Sequence, residues 1–447
     1  MNGAKGLKLP LPRGFLALAV TEYWERFSLA GFKSVLTLVL IDQILGKDRS
    51  KVVGTDWSQH VIEATFGPLT TIGLASQIYG LTNALLYLSV PLGGLLGDTI
   101  AGRRGAVYVG GGAMFAALGL MIQERYFLLA LPLFALGAGT IKGNLSAFAG
   151  GLFNDDAGRR HGFAIYLGFL NAGVICGPLL CGALVLRGGW RLGLGAAAIA
   201  IALGLTMFHI MTARSQMFEQ PALPASTKHP DIRRAGGSGQ VGLLLAALLA
   251  IYLCFAAYEQ VGNIFLVWAR GRSAVDFPVA WLISFDGIFT LALIPLSQLG
   301  LRTLARHGRA IGASSQIMLG CGAGTLGNLV LAAASWIYAD QVPLAGTLAY
   351  LLLIDCAIVL AWPAGLSLIM EAAPRRSIGF WVGLFYLHGF FANLWVGFGG
   401  TLYERMAPAS FWSLHAALAA AGALVAAASM LVPRRGHAHQ EAITTSA

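Results

Sequence analysis

The sequence predicts an all-α polytopic membrane protein. Of its 447 residues, 57% are hydrophobic and only 11% are charged, and the mean hydropathy is +0.70. A typical soluble domain carries about 25% charged residues. Apolar stretches of the length that a helix needs to cross a bilayer, roughly 17–25 residues, recur along the whole chain. We therefore expect a chain built mostly of transmembrane helices.

The apolar stretches fall into two groups of six. A polar segment rich in Pro, Gly and charge, residues 213–240, separates them and predicts a cytoplasmic linker. The first group predicts an N-terminal six-helix bundle over 1–212, and the second a C-terminal six-helix bundle over 241–447 with a short cytoplasmic tail. This is the layout of the major facilitator fold, whose substrate site lies between the halves near the bilayer midplane. The predicted helices occupy residues 13–40, 70–97, 105–122, 126–151, 162–186, 190–212, 241–269, 277–303, 311–334, 343–371, 379–403 and 409–432.

The distribution of Lys and Arg predicts the orientation of these helices. Basic residues are more frequent in the segments on the side of the two termini than in the loops on the other side. Cytoplasmic loops carry such an excess, so we expect both termini in the cytoplasm and the protein in the plasma (inner) membrane. The net charge of +10 then reflects topology, and no nucleic-acid partner is expected. We expect no cleavable signal peptide, because the first apolar run is longer than a signal core and carries charges.

The remaining composition argues against an enzyme or a metalloprotein. The five cysteines all lie in apolar stretches, without a CxxC motif or a Cys/His cluster, and are expected to be small buried side chains. Metalloprotease, nucleophile-elbow and phosphate-loop motifs are not found. We therefore expect a non-enzyme that uses no cofactor or metal and works on a small-molecule substrate in the lipid bilayer.

Three ionisable residues, Glu22, Glu25 and Arg26, lie inside the first predicted helix. Ionisable side chains are costly at membrane depth unless they are paired or hydrated. The spacing i, i+3, i+4 places all three on one helix face. One Arg for two Glu leaves an acid without a partner in the triad, which makes it a candidate to carry a proton. The alternative is a buried ion pair that only fixes helix packing.

The loop after the second helix carries a second charged motif, GGLLGDTIAGRR, over residues 93–104. It resembles the signature loop of the major facilitator superfamily, in which an acid, a Gly turn and an Arg pair lock neighbouring helices in one state. The matching residues here are Asp98, Arg103 and Arg104, to which the resemblance gives a gating role. The alternative is a generic basic turn.

An ordered series of motifs along almost the whole chain resembles the proton-dependent oligopeptide transporter (POT) family. From Glu22 the first helix reads EYWERFSLAGFK, similar to the family's ExxERFxYYG followed by a basic residue. Around Lys142 the fourth helix reads GAGTIKGNLS, similar to GxGxxKPNxS. Phe163 and Asn171 of the fifth helix match FxxxYxxxNxG, and EQVGN from Glu259 in the seventh matches EQxGS. Each motif alone is weak, whereas the ordered set is specific.

The resemblance implies a proton-coupled symporter that imports di- or tripeptides, or peptide-like molecules, by alternating access as a monomer. Proton coupling is implied for Glu22, Glu25, Arg26 and Lys142. Lys142 is expected to pair with the triad and to contact the substrate carboxylate. Lys33 and Glu259 are expected to pair across the cavity as a gate. Substrate binding is expected of Lys33, Tyr79, Lys142, Asn171, Glu259, Asn263, Asp286, Asp355 and Trp362.

Several positions depart from the family pattern. Leu29–Ala30 replaces a tyrosine pair, and Leu167 replaces the fifth-helix tyrosine. Ile358 stands where the tenth helix of the family has an acid, and Asp355, one turn earlier on a similar face, is the candidate to replace it. Asp286 replaces a usual Asn. The coupling residues are retained while the substrate pocket is altered, so a proton-coupled transporter of a non-peptide organic solute, such as an organic anion, a glycoside or a drug, remains an alternative.

Overall fold

The structure is a computed structural model that describes residues 11–12, 14–153, 156–213, 238–338, 341–374 and 377–431. The predicted linker and tail lie almost entirely outside the described residues. Within the described residues the fold is helical, apart from an isolated bridge between Ser273 and Val342. The helices are α1 (Phe15–Val39), α2 (Thr55–Phe66), α3 (Thr71–Thr99), α4 (Gly102–Ile122), α5 (Phe127–Gly151), α6 (Asp156–Gly188), α7 (Trp190–Thr212), α8 (Ser238–Tyr258), α9 (Ile264–Arg272), α10 (Leu282–Arg306), α11 (Ala313–Ile337), α12 (Leu344–Ala372), α13 (Ile378–Tyr386), α14 (His388–Gly400) and α15 (Pro408–Ser429).

In the described chain, 12 helical segments are long and apolar enough to cross a membrane. The predicted all-α polytopic fold is therefore confirmed. The segments are Phe15–Ile44, Thr71–Thr99, Gly102–Ile122, Glu124–Gly151, His161–Gly188, Trp190–Thr212, Gln240–Gly262, Val279–Arg306, Ala313–Ile337, Leu344–Ala372, Phe380–Arg405 and Pro408–Ser429.

The seventh and eleventh spans are broken helices, which hydropathy did not predict. α8 ends at Tyr258, a tight turn follows over Glu259–Gly262, and α9 begins after Asn263. Asn263 has φ −121° and ψ −102°, far from helical values. Gly and Asn are poor helix formers, so the break falls where the helix is intrinsically weakest. In the eleventh span, α13 and α14 meet at Leu387.

The connection between α1 and α3, which corresponds to the interval between the first two predicted helices, contains the short helix α2. Arg49 fastens this connection with three hydrogen bonds. Its guanidinium donates to the Leu45 carbonyl at 2.7 Å, to Gln59 Oε1 at 3.0 Å and to Thr71 Oγ1 at 2.9 Å. The start of α3 is thereby fixed relative to the end of α1.

α1 and α6 approach very closely because glycines line their contact. A Cβ on Gly173 would overlap the Tyr23 carbonyl oxygen and would lie 2.9 Å from Arg26 Cβ. Gly177 and Gly31 face each other about one turn further along the two helices. Small residues allow such close helix packing in lipid. This contact places α6 directly beside the charged face of α1.

The N-terminal and C-terminal helices meet mainly at one end of the bundle, where α1 ends and α3 begins; we call it the closed end. Hydrogen bonds cross between the halves there, from Thr37 to Asn263 Oδ1 at 3.2 Å and from Ser284 to the Ile175 carbonyl at 2.8 Å. An ion pair joins Arg270 to Asp42 at 2.5 Å. Farther from this end, burial decreases: in α10 the buried residues stop at Gly287, and none follows before its end.

We predict that Gly173→Ala destabilises the protein by about 1–3 kcal/mol, because its methyl group must push α6 away from α1. The control is Gly168→Ala in the same helix, where a Cβ would meet nothing within 4 Å. There we expect an unchanged or slightly higher stability, since Ala is the better helix former. Thermal unfolding in detergent measures both variants, and equal melting temperatures would contradict the packing described.

Candidate functional site

The charged face of α1 is buried against α6 and is held by a single guanidinium. Arg26 Nε donates to Glu22 Oε1 at 2.7 Å and lies 3.2 Å from Glu25 Oε2. Tyr166 of α6 donates a 2.5 Å hydrogen bond to the other oxygen of Glu22. Both oxygens of Glu25 are buried without a hydrogen-bond partner, and its side chain is 0% exposed. The two acids therefore differ: hydrogen bonds satisfy Glu22, whereas Glu25 has only the longer contact to Arg26.

Lys142 of α5 lies near this face without joining it. Its ammonium is 4.6 Å from the centroid of the Tyr87 ring, and the described residues form no ion pair with it. The expected pair between Lys142 and the triad is thus not formed in this conformation, because Arg26 already occupies both carboxylates. Lys142 remains within electrostatic reach of Glu25. A cation over an aromatic face is attracted to it, which explains its position.

The expected contact between Lys33 and Glu259 is present, and it joins the two halves. Lys33 Nζ lies 3.8 Å from Glu259 Oε2, with the lysine side chain 25% exposed. The Tyr87 hydroxyl donates to Glu259 Oε1 at 2.9 Å. Tyr87 therefore contacts Lys142 with its ring and Glu259 with its hydroxyl, and so connects Lys142 to the ion pair between the halves.

Tyr79 and Asn263 lie inside the closed end. Tyr79 is 0% exposed, and its ring centroid is 5.9 Å from Lys33 Nζ. Asn263 is also 0% exposed and accepts hydrogen bonds from Thr37 and Ser76, at 3.2 Å and 3.4 Å. In this conformation a solute reaches neither residue, so their expected substrate contacts require the closed end to open.

The other expected binding residues occupy three separate places. Asn171 is buried and donates to the Leu167 carbonyl of its own helix at 2.8 Å. Trp362 is half-buried, with the ring centroids of Phe385 and Tyr386 at 5.7 Å and 6.1 Å. Asp286 of α10 and Asp355 of α12 lie where these two helices meet, since Thr290, one turn after Asp286, donates to Asp355 Oδ1 at 3.0 Å.

The signature loop after α3 is an exposed ion-pair cluster within the N-terminal helices. Arg103 Nε donates to Asp98 at 3.2 Å, and its Nη1 donates to the Ala147 carbonyl of α5 at 3.1 Å. Arg104 is half-buried beside it. The loop connects α3 and α4 to the end of α5, as the resemblance suggests, while its expected gating role stays a prediction.

Two tyrosines of the site were missed from the sequence. Tyr166 adjoins Leu167, the position at which the POT motif places its tyrosine, and reading that position alone implied that no hydroxyl was present. Tyr87 resembled any aromatic residue of an apolar helix. The signal that was available for Tyr87 is its spacing: it lies two turns after Tyr79 on α3, so both rings point toward the same region.

The comparisons with known proteins agree with this fold. The model of the Major Facilitator Superfamily matches residues 29–396. The "Uncharacterized transporter YclF" of Bacillus subtilis is 28% identical over 248 residues, covering 54% of this chain and 45% of that protein. The "Peptide transporter YePEPT" of Yersinia enterocolitica is 26% identical over 299 residues, covering 64% and 53%. The chain spans about half the length of the curated relatives it matches.

Solved structures of POT transporters share the fold along nearly the whole chain. A peptide transporter POT in complex with sulfate superposes with a TM-score of 0.79 at 21% identity, covering 96% of this chain and 95% of that one. A POT family transporter in complex with 5-aminolevulinic acid gives 0.78 at 17% identity, covering 93% and 96%. The resemblance to POT transporters is thereby confirmed, and since the family model matches well over half of its length, the chain belongs to the Major Facilitator Superfamily.

Proposed function

We propose that this protein is a proton-coupled symporter that imports di- or tripeptides, or peptide-like small molecules, by alternating access. The observation that carries the proposal is the buried triad on α1, in which Glu25 lacks a hydrogen-bond partner and interacts electrostatically with Lys142. The peptide transporters among its relatives support the substrate class. No cofactor is needed, because the proton gradient supplies the driving force.

In this mechanism Glu25 exchanges the proton. Both oxygens of Glu22 already have donors, Arg26 for one and Tyr166 for the other. Glu25 has no donor for either oxygen, so a proton removes the cost of its buried charge. Once Glu25 is neutral, it no longer attracts Lys142. The ammonium of Lys142 is then available to a substrate carboxylate.

The gate would convert this change into movement of the two halves. Lys33 and Glu259 join the N-terminal and C-terminal helices near the closed end. Tyr87 connects Glu259 to Lys142, so a substrate that draws Lys142 away also disturbs the hydrogen-bonded acid at the gate. The break in the seventh span at Glu259–Gly262 supplies a hinge at that position.

The membrane orientation completes the proposal. With both termini in the cytoplasm, as the distribution of basic residues favours, the closed end faces outward and the conformation described is inward-facing. We place the protein in the plasma (inner) membrane and expect it to work as a monomer.

A non-peptide solute is the second candidate. A structural neighbour was crystallised with 5-aminolevulinic acid and another with alafosfalin, and Leu29–Ala30 leaves this pocket without the tyrosine pair. Thermal-shift screening of di- and tripeptides beside amino acids, organic anions and glycosides separates the two candidates. Stabilisation by short peptides alone supports the first, and stabilisation only by non-peptide solutes overturns it.

We predict that Glu25→Gln reduces proton-driven uptake into proteoliposomes to the level of empty liposomes. The amide keeps the shape of the side chain but cannot exchange a proton. Exchange of labelled for unlabelled solute without a gradient should persist, because it requires no net proton transfer. The control is Glu404→Gln, which alters an exposed acid at a helix end. Undiminished gradient-driven uptake by Glu25→Gln would contradict the mechanism.

We predict that Lys33→Glu opens the closed end, because it places like charges across the gate. A partly buried pair of this kind contributes roughly 1 kcal/mol, so the population of open molecules should rise about fivefold. Spin labels at Val61 and Tyr338, one in each half near the closed end, report this as longer distances. The charge swap Lys33→Glu with Glu259→Lys should restore the shorter distances, and unchanged distances in the single variant would exclude the pair as a gate.

A further inference from the structure

Asp286 of α10 and Asp355 of α12 form a pair of buried acids outside the triad and the gate. Asp286 is 8% exposed and Asp355 is 0% exposed. They face each other across the contact of α10 with α12, because Thr290, one turn after Asp286 on α10, donates a hydrogen bond to Asp355. Both belong to the C-terminal helices, whereas every group of the triad belongs to the N-terminal helices. The pair therefore needs its own physical explanation.

The donors around the pair leave one oxygen unsatisfied. Thr290 donates to Asp355 Oδ1 at 3.0 Å, and the Tyr258 hydroxyl lies 3.4 Å from Asp286 Oδ1 as its donor. Asp355 Oδ2 is buried without a hydrogen-bond partner. Among the described residues, no Lys, Arg or His forms an ion pair with either carboxyl group.

Two adjacent carboxylates in this environment cannot both be ionised without a large cost. Burial disfavours each charge, and the like charges repel each other. One proton between the groups removes a charge and makes one carboxyl a donor to the other. It also supplies the donor that Asp355 Oδ2 lacks, since a buried polar atom is expected to have a partner.

A second unsatisfied group lies near the pair. The Tyr350 hydroxyl is 0% exposed and has no hydrogen-bond partner, and it interacts electrostatically with both carboxyl groups. Its ring packs against Phe265 and Trp412, at centroid distances of 4.9 Å and 5.6 Å. An unpaired hydroxyl is costly in a low-dielectric interior, so Tyr350 is a second buried polar group whose hydrogen bonding is incomplete in this conformation.

We propose that Asp286 and Asp355 form a second proton-binding site, in which the two carboxyl groups share one proton. The groups that face it are Lys33 and Glu259 of the gate, Tyr258 of α8, and Tyr350 and Cys356 of α12. α6 presents the apolar side chains of Val174 and Ile175 to α10 beside it.

The position of the site connects its charge to the gate. Lys33 interacts electrostatically with both Glu259 and Asp286. A singly protonated pair attracts Lys33 in competition with Glu259, and a fully protonated pair leaves Lys33 to Glu259 alone. Protonation of this site would therefore strengthen the closed end and deprotonation would weaken it, independently of Glu25.

Infrared difference spectroscopy of the purified full-length protein near neutral pH tests the proposal, because a protonated carboxyl has its own C=O stretching band. Asp286→Asn and Asp355→Asn each replace the shared proton with an amide donor and leave the other acid ionised. We expect each variant to lose one protonated-carboxyl band relative to wild type. Asp56→Asn, at an exposed acid of α2, should lose none.

The measurement requires no transport, so it is independent of the proposed function. A band from Glu25 would occur in every spectrum and cancel in the differences. If one variant does not fold, the other decides alone, since both must remove the same band. Spectra of the folded variants that retain every protonated-carboxyl band of wild type would overturn the proposal.

Discussion

One arginine shared by two buried glutamates is the interaction on which the site depends. Arg26 Nε lies 2.7 Å from Glu22 and 3.2 Å from Glu25, and Tyr166 supplies Glu22 with a further donor. Charges at membrane depth must be neutralised within the protein. The sharing is unequal, so one acid is fully satisfied and the other is not. The close approach of α6 at Gly173 enforces this arrangement, because it brings the Tyr166 hydroxyl to the charged face of α1.

A series of side-chain contacts links the triad to the interface between the halves. Lys142 lies over the Tyr87 ring and interacts electrostatically with Glu25, and the Tyr87 hydroxyl donates to Glu259, which pairs with Lys33. Each of these groups can change its partner. Glu25 can gain a proton, Lys142 can bind a carboxylate of the solute, and Lys33 and Glu259 can separate and bind water instead. The seventh span is broken at Glu259 itself. A change of charge at one end of this series therefore acts on the place where the backbone is least regular.

Hydropathy was sufficient to predict the fold, because a bilayer requires continuous apolar helices. The charged residues of the site could also be predicted, since an ionisable group inside a span needs a partner, and Lys33 and Glu259 are in fact near each other. The role of the tyrosines could not be predicted, because Tyr87 and Tyr166 fit the same apolar helix pattern as residues that only pack. The break at Asn263 was missed for a related reason: apolar composition specifies that a segment crosses the membrane, and not that its backbone stays helical.

The proposed account makes the solute and the proton obligatory partners, and this reciprocity is the most direct test of it. Proteoliposomes containing a trapped pH indicator are given an inward gradient of the solute identified by screening, with no pH gradient at the start. Linkage requires that the solute then carry protons inward. The account predicts acidification of the lumen that depends on solute and on protein. Solute entry without any change of internal pH would contradict it.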